Sequence, residues 1–360
     1  MTTLLQTPLH SRHVTAGGRM VDFAGWSMPL QYTSVRSEEQ AVRTTAGLFD
    51  VSHMGRFLVR GQAAEPFLQS VVTNDLGRIT DGQAQYNLLC SDVGGVLDDL
   101  VVYRGDPWRL VVNAANREQD LDWLRAHAPA GVRVDDVSDE LALIAVQGPR
   151  AAELLPAEGV DLPALGFFEW TSGRVAGVEG VLISRTGYTG EDGFELFVPA
   201  SAAPAVWDAL IERGTAPCGL ATRDVCRLEA GLRLHGADMS PEVNPYEAGL
   251  GWVVKLDKGD FVGRSSLRTV KSEGPRRRTV GLRGDRTIPR HSDEVSCGGE
   301  EIGMVTSGTY SFWLRAGIGL ALLEAGRIPG DGSVELRQRG ESLPLEIVKL
   351  PFYRGSAGKS

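Results

Sequence analysis

The chain has 360 residues, of which 42% are hydrophobic and 23% are charged, a globular composition long enough for about two or three domains. Its formal net charge of −9 argues against a general binder of nucleic acids or anionic membrane surfaces, because both classes of protein need a positive field. The sequence also lacks a continuous apolar run of about 18 residues, so we expect no transmembrane helix.

The first part of the chain alternates helix signals with short apolar runs. Ser37 is predicted to cap a helix that ends near Gly47, with Gln40 as its partner in a capping box. Residues 49–59 are predicted to form a strand and residues 63–72 a short helix. Three further runs have the pattern of a strand meander: Tyr86–Cys90, Val96–Tyr103 and Arg109–Asn113.

The rest of the chain continues this mixture of helices and strands. Asn116 is predicted to cap a helix over 117–127, and residues 141–147 to form a strand. Two strands and two helices are predicted next, at Gly180–Ser184, Phe194–Val198, Ala203–Arg213 and Arg223–Leu234. Residues 252–256 are predicted as a strand and the basic run 271–278 as a linker. Short strands and glycine turns follow, so the sequence predicts an α+β fold with a C-terminal β-barrel or jelly-roll-like domain.

The four cysteines indicate the cellular compartment. None is spaced as CxxC, which disfavours a zinc or disulfide-exchange site and fits a reducing compartment. Residues 1–10 lack the apolar block of a secretory signal. We therefore expect a cytoplasmic bacterial or archaeal protein, with an organellar protein that has lost its transit peptide as the alternative.

Two aspartates interrupt the most apolar predicted strand, Val96–Tyr103. Because successive strand residues point to opposite faces, Asp98 and Asp99 would each enter a covered layer, where a charge needs a partner. A carboxylate held in this way is a candidate for directing a proton or stabilising a cation. The alternative is that Gly94 and Gly95 form a hairpin turn whose amides satisfy both carboxylates at the strand edge.

Two other segments carry side chains suited to an organic ligand. Residues 185–195 contain three glycines within seven residues, which lets the backbone approach a flat ligand. Within it, Tyr188 offers an aromatic face and Glu195 an acceptor pair for an aminopyrimidinone-type ring; the alternative is a solvated hairpin. Arg223 and Arg227, four residues apart on a predicted helix, can grip a carboxylate, or they form salt bridges to neighbouring acids.

Six segments, taken together and in this order, resemble the aminomethyltransferase family, the T-protein of the glycine cleavage system. They are Met20–Trp26, Ala46–Met54, Gly94–Leu100, Arg185–Glu195, Arg223–Gly231 and Glu247–Trp252. Thr306–Thr309 near the C-terminus also fits, so the resemblance extends from Thr7 to about Phe352. Two positions depart from the family pattern, since Glu39 stands where a histidine is common and Phe312 where a proline is usual.

The resemblance implies a three-domain fold with antiparallel sheets around a central site for tetrahydrofolate. Residues 1–48 with 140–270 would form a discontinuous folate-binding domain, and residues 49–139 a domain inserted into it. Residues 279–360 would form the C-terminal barrel domain.

The resemblance also implies roles for individual residues. The family's catalytic aspartate matches Asp98, and its pterin-contacting glutamate matches Glu195, with Tyr188 nearby. The folate-binding arginine matches Arg223 better than Arg227. The positions that line or close the folate site match Met54, Tyr86, Asn113 and Tyr353. No metal is implied.

The implied reaction starts from an aminomethyl group carried on the lipoyl sulfur of H-protein, the implied protein partner. Its methylene passes to tetrahydrofolate, a cosubstrate, and ammonia is released. One alternative is a related folate enzyme that demethylates or hydroxymethylates a small molecule. A second is a folate-binding module without turnover, against which Asp98 argues, because a pure binder needs no buried carboxylate there.

Overall fold

The computed structural model describes residues 3–358. The elements up to residue 147 are α1 (His10–Thr15), β1 (Arg19–Phe23), β2 (Trp26–Gln31), α2 (Val35–Thr44), β3 (Gly47–Asp50), β4 (Gly55–Arg60), α3 (Ala64–Val71), β5 (Ala84–Cys90), β6 (Val96–Tyr103), β7 (Trp108–Val112), α4 (Arg117–His127), β8 (Arg133–Asp136) and β9 (Leu141–Gln147). The elements after it are α5 (Ala151–Leu154), β10 (Ala157–Glu158), β11 (Trp170–Val175), β12 (Val178–Ser184), β13 (Gly193–Pro199), α6 (Ala203–Glu212), β14 (Ala216–Pro217), α7 (Leu220–Glu229), α8 (Arg264–Glu273), β15 (Arg277–Gly284), β16 (Glu294–Cys297), β17 (Glu300–Ser311), β18 (Ala316–Glu324), β19 (Ser333–Gln338) and β20 (Glu341–Val348). Single turns of 3-10 helix lie at Leu76–Arg78, Ala114–Asn116, Gly251–Val253 and Ala325–Arg327.

The first predicted helix begins earlier than its capping signal suggested. Ser34, not Ser37, caps α2: its backbone is extended, and its hydroxyl accepts a hydrogen bond of 3.2 Å from the amide of Ser37. The prediction was wrong because Ser37 already lies within the first turn, where its own amide needs the cap.

Several other predicted boundaries differ from the structure, and the helix predicted over Arg223–Leu234 is α7, which begins at Leu220 and ends at Glu229. The strand predicted over 49–59 is two strands, β3 and β4, which belong to different sheets. The strand predicted over 252–256 is a compact turn, because Val253 and its apolar neighbours pack against β5 and β6 rather than pairing in a ladder. The predicted linker over 271–278 is shorter, since α8 continues to Glu273 with Leu267 buried, and β15 begins at Arg277.

Two large sheets and the antiparallel pair β1-β2 form the N-terminal three-quarters of the structure. The first has seven strands in the order β10-β11-β12-β13-β9-β3-β14 and is antiparallel except where β14 runs parallel to β3. Its main core lies between this sheet and helices α5 and α6, where residues such as Ile144, Phe194 and Trp207 are buried. The second sheet is fully antiparallel, with the order β5-β6-β7-β4-β8 and helices α3 and α4 packed on one face.

In the sequence, the strands of the second sheet lie between β3 and β9, which are neighbours in the first sheet. β3 and β9 pair directly, from Gly47 with Gln147 to Asp50 with Ile144, and the chain between them builds all five strands of the second sheet. We therefore propose that residues 49–139 form an inserted domain, and that 1–48 with 140–270 and 279–360 form the other two.

The C-terminal strands close into a barrel, as the sequence predicted. The order around it is β15-β18-β17-β16-β19-β20, and β20 returns to pair with β15. Closure leaves no free sheet edge, which explains how short glycine-rich strands form a stable unit. Among residues 3–358, no helix combines the length and apolar character that a membrane span requires.

Arg43 joins three elements in the interior. Its guanidinium, fully buried on α2, donates to the Thr189 carbonyl (2.9 Å), to Glu191 (3.0 Å) and to Glu229 on α7. The same guanidinium lies 4.3 Å from the ring centre of Tyr353. Two buried carboxylates therefore depend on one buried cation for their charge balance.

Arg43→Met is expected to destabilise the protein by about 3–5 kcal/mol, because both carboxylates would stay buried without a countercharge. The change in the free energy of unfolding is measured by urea titration at neutral pH. Arg12→Met is the matched control: Arg12 forms an exposed pair with Asp208, and its loss should have little measurable effect. Equal effects of the two substitutions would contradict the role given to Arg43.

Candidate functional site

Asp98 is a completely buried carboxylate that accepts three hydrogen bonds. Its Oδ1 accepts from the side-chain amides of Asn113 (2.8 Å) and Asn116 (2.7 Å). Its Oδ2 accepts from the backbone amide of Asn113 (3.1 Å). Both asparagines follow β7, the neighbour of β6, so the sheet register brings these donors to the carboxylate. This arrangement fixes the side chain in one orientation.

Asp99 is bound by a different set of donors. Its Oδ2 accepts from the Tyr86 hydroxyl (2.9 Å) and its Oδ1 from the side-chain amide of Asn113 (2.7 Å), which therefore bridges both aspartates. Burial raises the pKa of Asp99 to about 7, and the charge of Asp98 adds to this shift, while the bonds from Tyr86 and Asn113 oppose it.

Gly94 and Gly95, which precede β6, do not have the role that the hairpin-turn alternative gave them. The amides of Gly94 and Gly95 bond to Ser91, so they do not satisfy the two aspartates. Gly95 is needed for close packing, because a Cβ there would lie 1.8 Å from the carbonyl oxygen of Pro241. The glycine thus lets the segment around Pro241 approach the start of β6.

Asn116 is not a helix cap, contrary to the sequence prediction. It occupies the position before α4, but its backbone is helical and its side chain makes no capping bond. Its amide nitrogen instead lies 2.7 Å from Asp98 and 2.9 Å from Nδ1 of His235. A capping asparagine turns its side-chain oxygen toward the amides of the first helical turn, whereas here the side chain is turned so that its amide nitrogen donates to the buried carboxylate, a stronger charge-assisted bond.

Glu195 lies on β13, at the other end of the site. Its Oε2 accepts a hydrogen bond of 2.5 Å from the Thr186 hydroxyl. Burial raises the pKa of Glu195, and the bond from Thr186 and the charge of Arg223 partly offset that rise. The glycine-rich segment is therefore not a solvated hairpin at this position.

The two arginines of α7 serve different purposes. The guanidinium of Arg223 lies 4.6 Å from the ring centre of Tyr188, and its Nη2 is 4.0 Å from the sulfur of Met54. Arg227 instead donates to Asp238 (2.7 Å) and to Ser307 of the barrel (2.8 Å). The salt-bridge alternative thus holds for Arg227, whereas Arg223 stands free of a direct ion pair within hydrogen-bonding distance among residues 3–358.

Arg223 links the two ends of the site electrostatically. Burial lowers the pKa of Arg223, and the charges of Glu195 and Asp99, together with Tyr188, oppose that shift. The Tyr188 hydroxyl donates to the carbonyl of Arg233, and Arg223 covers one face of its ring. A ligand can therefore stack only on the other face of Tyr188.

The remaining predicted residues divide between two places. Tyr86 belongs with Asp99, and its ring stacks on the exposed ring of Trp252, with centroids 6.0 Å apart. Tyr353 lies in the Arg43 cluster instead: its backbone amide donates to the carbonyl of Glu229. Sequence reasoning missed the parts played by Asn116, Thr186, His235 and Trp252.

Asp99→Asn is expected to change the pH dependence of stability. The unfolded chain ionises Asp99 near pH 4 and the folded chain near 7, so this residue lowers the stability of the wild type progressively as the pH rises through that window. The stability of Asp99→Asn relative to wild type should therefore increase from pH 4 to 7 and remain level above it. Urea titrations at several pH values measure this difference. Asp122→Asn, at an exposed position, is the control. If the stability difference between Asp99→Asn and the wild type did not vary with pH, the raised pKa of Asp99 would be contradicted.

Comparison with known proteins agrees with this architecture. Residues 9–258 match the GCVT N-terminal domain family, and residues 277–354 match the glycine cleavage T-protein C-terminal barrel domain family. The chain is 48% identical to an aminomethyltransferase of Moorella thermoacetica and 47% identical to one of Geobacillus kaustophilus, covering 98% of this chain and 99% of each relative. Its fold is similar to the crystal structure of glycine cleavage system aminomethyltransferase T from Bartonella henselae, with a TM-score of 0.91, 33% identity and 99% of both chains covered. The chain therefore belongs to the aminomethyltransferase family, the T-proteins of the glycine cleavage system.

Proposed function

We propose that this protein transfers the methylene of an aminomethyl group to tetrahydrofolate and releases ammonia. In the proposed reaction the aminomethyl group arrives on the lipoyl sulfur of H-protein, which leaves as the dihydrolipoyl form. The observation that carries the proposal is the buried carboxylate of Asp98, held by three hydrogen bonds, in a chain that aligns along nearly its whole length with aminomethyltransferases.

Asp98 is the proposed catalytic residue. As the carbon–sulfur bond breaks, positive charge develops on the methylene and its nitrogen. A fixed carboxylate in a buried site stabilises that charge without rearranging, because Asn113 and Asn116 already hold it in place. Asp98 also accepts a hydrogen bond from the attacking nitrogen of folate and so orients it.

The other predicted residues are proposed to bind folate. Thr186 occupies Oε2 of Glu195, and Oε1 is the acceptor that we assign to the pterin ring. Arg223 supplies a buried positive charge, and Tyr188 a ring face. We assign the lining of the site to Met54, Tyr86 and Asn113 and the closing of its C-terminal side to Tyr353.

The proposed partners are lipoylated H-protein and tetrahydrofolate, with no role in nucleic-acid or membrane binding. The proposed compartment is the cytoplasm, which suits the four cysteines, each of which is unpaired in the structure.

The competing function is a folate-dependent transferase or demethylase that takes its carbon from a small molecule. That function would use the same carboxylate and folate site but would not need H-protein.

Asp98→Asn is expected to lose most turnover and to keep its affinity for tetrahydrofolate within about tenfold, because the charge acts mainly on the transition state. The assay is ammonia release from aminomethylated H-protein, with and without tetrahydrofolate. Equal turnover by the variant would refute the role of Asp98. Absence of release by the wild type, with folate still bound, would favour the small-molecule donor.

Glu195→Ala is expected to weaken folate binding by about 10- to 100-fold, the range for loss of a buried hydrogen bond to a charged group. Isothermal titration calorimetry with tetrahydrofolate measures the change. Glu158→Ala, at an exposed carboxylate, is the control and should bind as the wild type does. Unchanged affinity in Glu195→Ala would remove Glu195 from the site.

A further inference from the structure

A third carboxyl group, that of Asp120 on α4, lies beside the proposed catalytic aspartate. Asn116, which precedes α4, donates to Asp98 (2.7 Å), and Asp120 lies one turn further along that helix, within hydrogen-bonding reach of Asp98 and only 1% exposed. Its Oδ2 is buried and receives no hydrogen bond from any donor among residues 3–358. A buried carboxylate without a donor is unfavourable, so Asp120 needs a different explanation from that of Asp98.

The contact between the two carboxyl groups requires a proton. Two ionised carboxylates repel each other strongly in a buried site, whereas a neutral carboxyl can donate to an ionised one. Asp98 already accepts three hydrogen bonds from Asn113 and Asn116, as an ionised group does. Burial raises the pKa of Asp120 to about 10, and its contact with Asp98 and the charges of Asp98 and Asp99 add to that shift.

The charged and titratable groups around Asp120 support this placement of the proton. On β6 it faces Asp98 and Asp99, both acidic. His235 approaches from the segment after α7, with Nδ1 at 3.8 Å from Asp98, but this nitrogen already faces the amide of Asn116. Arg117, one turn earlier on α4, is paired with Asp136 and Asp139. Arg117 is therefore not available to Asp120 as a countercharge.

We propose that Asp120 is a positioning residue that carries a proton and donates it as a hydrogen bond to Asp98. The donated bond holds the catalytic carboxylate in place. The protonation of Asp120 is independent of the reaction, whereas its effect on turnover rests on the proposed function.

Infrared spectroscopy at neutral pH tests the protonation without any substrate. The difference spectrum between the wild type and Asp120→Asn should show the loss of one carbonyl band of a protonated carboxylic acid. Asp122→Asn, on the exposed side of the same helix, should show no such loss. A difference spectrum in which only an ionised carboxylate disappears would overturn the proposal.

Kinetic measurements with H-protein and tetrahydrofolate test the positioning role. Asp120→Asn retains an N–H donor and should keep kcat within a few-fold of the wild type, whereas Asp120→Leu removes the donor. In Asp120→Leu we expect kcat to fall about tenfold or more and the acidic limb of the kcat/KM profile to move to higher pH. Equal losses in both variants, with no movement of the limb, would mean that Asp120 is only structural. If the wild type lacks activity, the proposed function fails, but the infrared result still shows whether Asp120 is protonated.

Discussion

Burial of the Asp98 charge is the constraint on which the centre of this structure depends. A carboxylate buried on β6 needs several hydrogen-bond donors, and none is available within β6 itself. The pairing of Leu100 with Val112 sets the register so that the chain leaving β7 passes directly beside Asp98. Asn113 and Asn116 then turn toward the carboxylate, and the latter gives up the capping of α4 to do so. The need to satisfy one buried charge therefore determines how these side chains are arranged.

Helix α7 connects this site with the rest of the molecule. One side of the helix presents Arg223 to Tyr188 and Glu195, while Arg227 and Glu229 face the barrel and α2. Arg227 and Glu229 are buried and paired, so each fixes its neighbours through the large penalty for an unpaired charge, whereas Arg223 is partly buried and has no direct ion pair among residues 3–358. Movement of the barrel relative to α7 would break the bond between Arg227 and Ser307 and the bond between Glu229 and Ser311. The proposed folate site and the barrel are thus joined through the hydrogen bonds of α7.

The two departures from the family pattern meet at this same junction. Glu39 on α2 accepts hydrogen bonds from the backbone amide of Trp313 (3.2 Å) and from Ser311 (3.4 Å), the residues on either side of Phe312. Burial raises the pKa of Glu39 to about 9, and contact with Glu229 adds to the shift. A neutral carboxyl at this position can therefore bridge Glu229 and the end of β17. Both positions therefore lie where α2 meets the barrel, away from the hydrogen bonds of Asp98.

Sequence patterns alone predict the type of fold, the position of most strands and the residues most suited to chemistry. Apolar periodicity and glycine turns are local properties, so β6, β9 and the barrel could be predicted from them. The aspartate in the apolar run and the glycine-rich segment around Tyr188 were likewise visible without coordinates. Only the tertiary structure decided which polar groups meet. Asn116 is 18 residues from Asp98 and 119 from His235, and no local pattern predicts such contacts, because strand register and close packing between distant segments create them. For the same reason the sequence placed Arg223 and Arg227 together on one helix face, and only packing against the barrel assigned one to the site and the other to the interface.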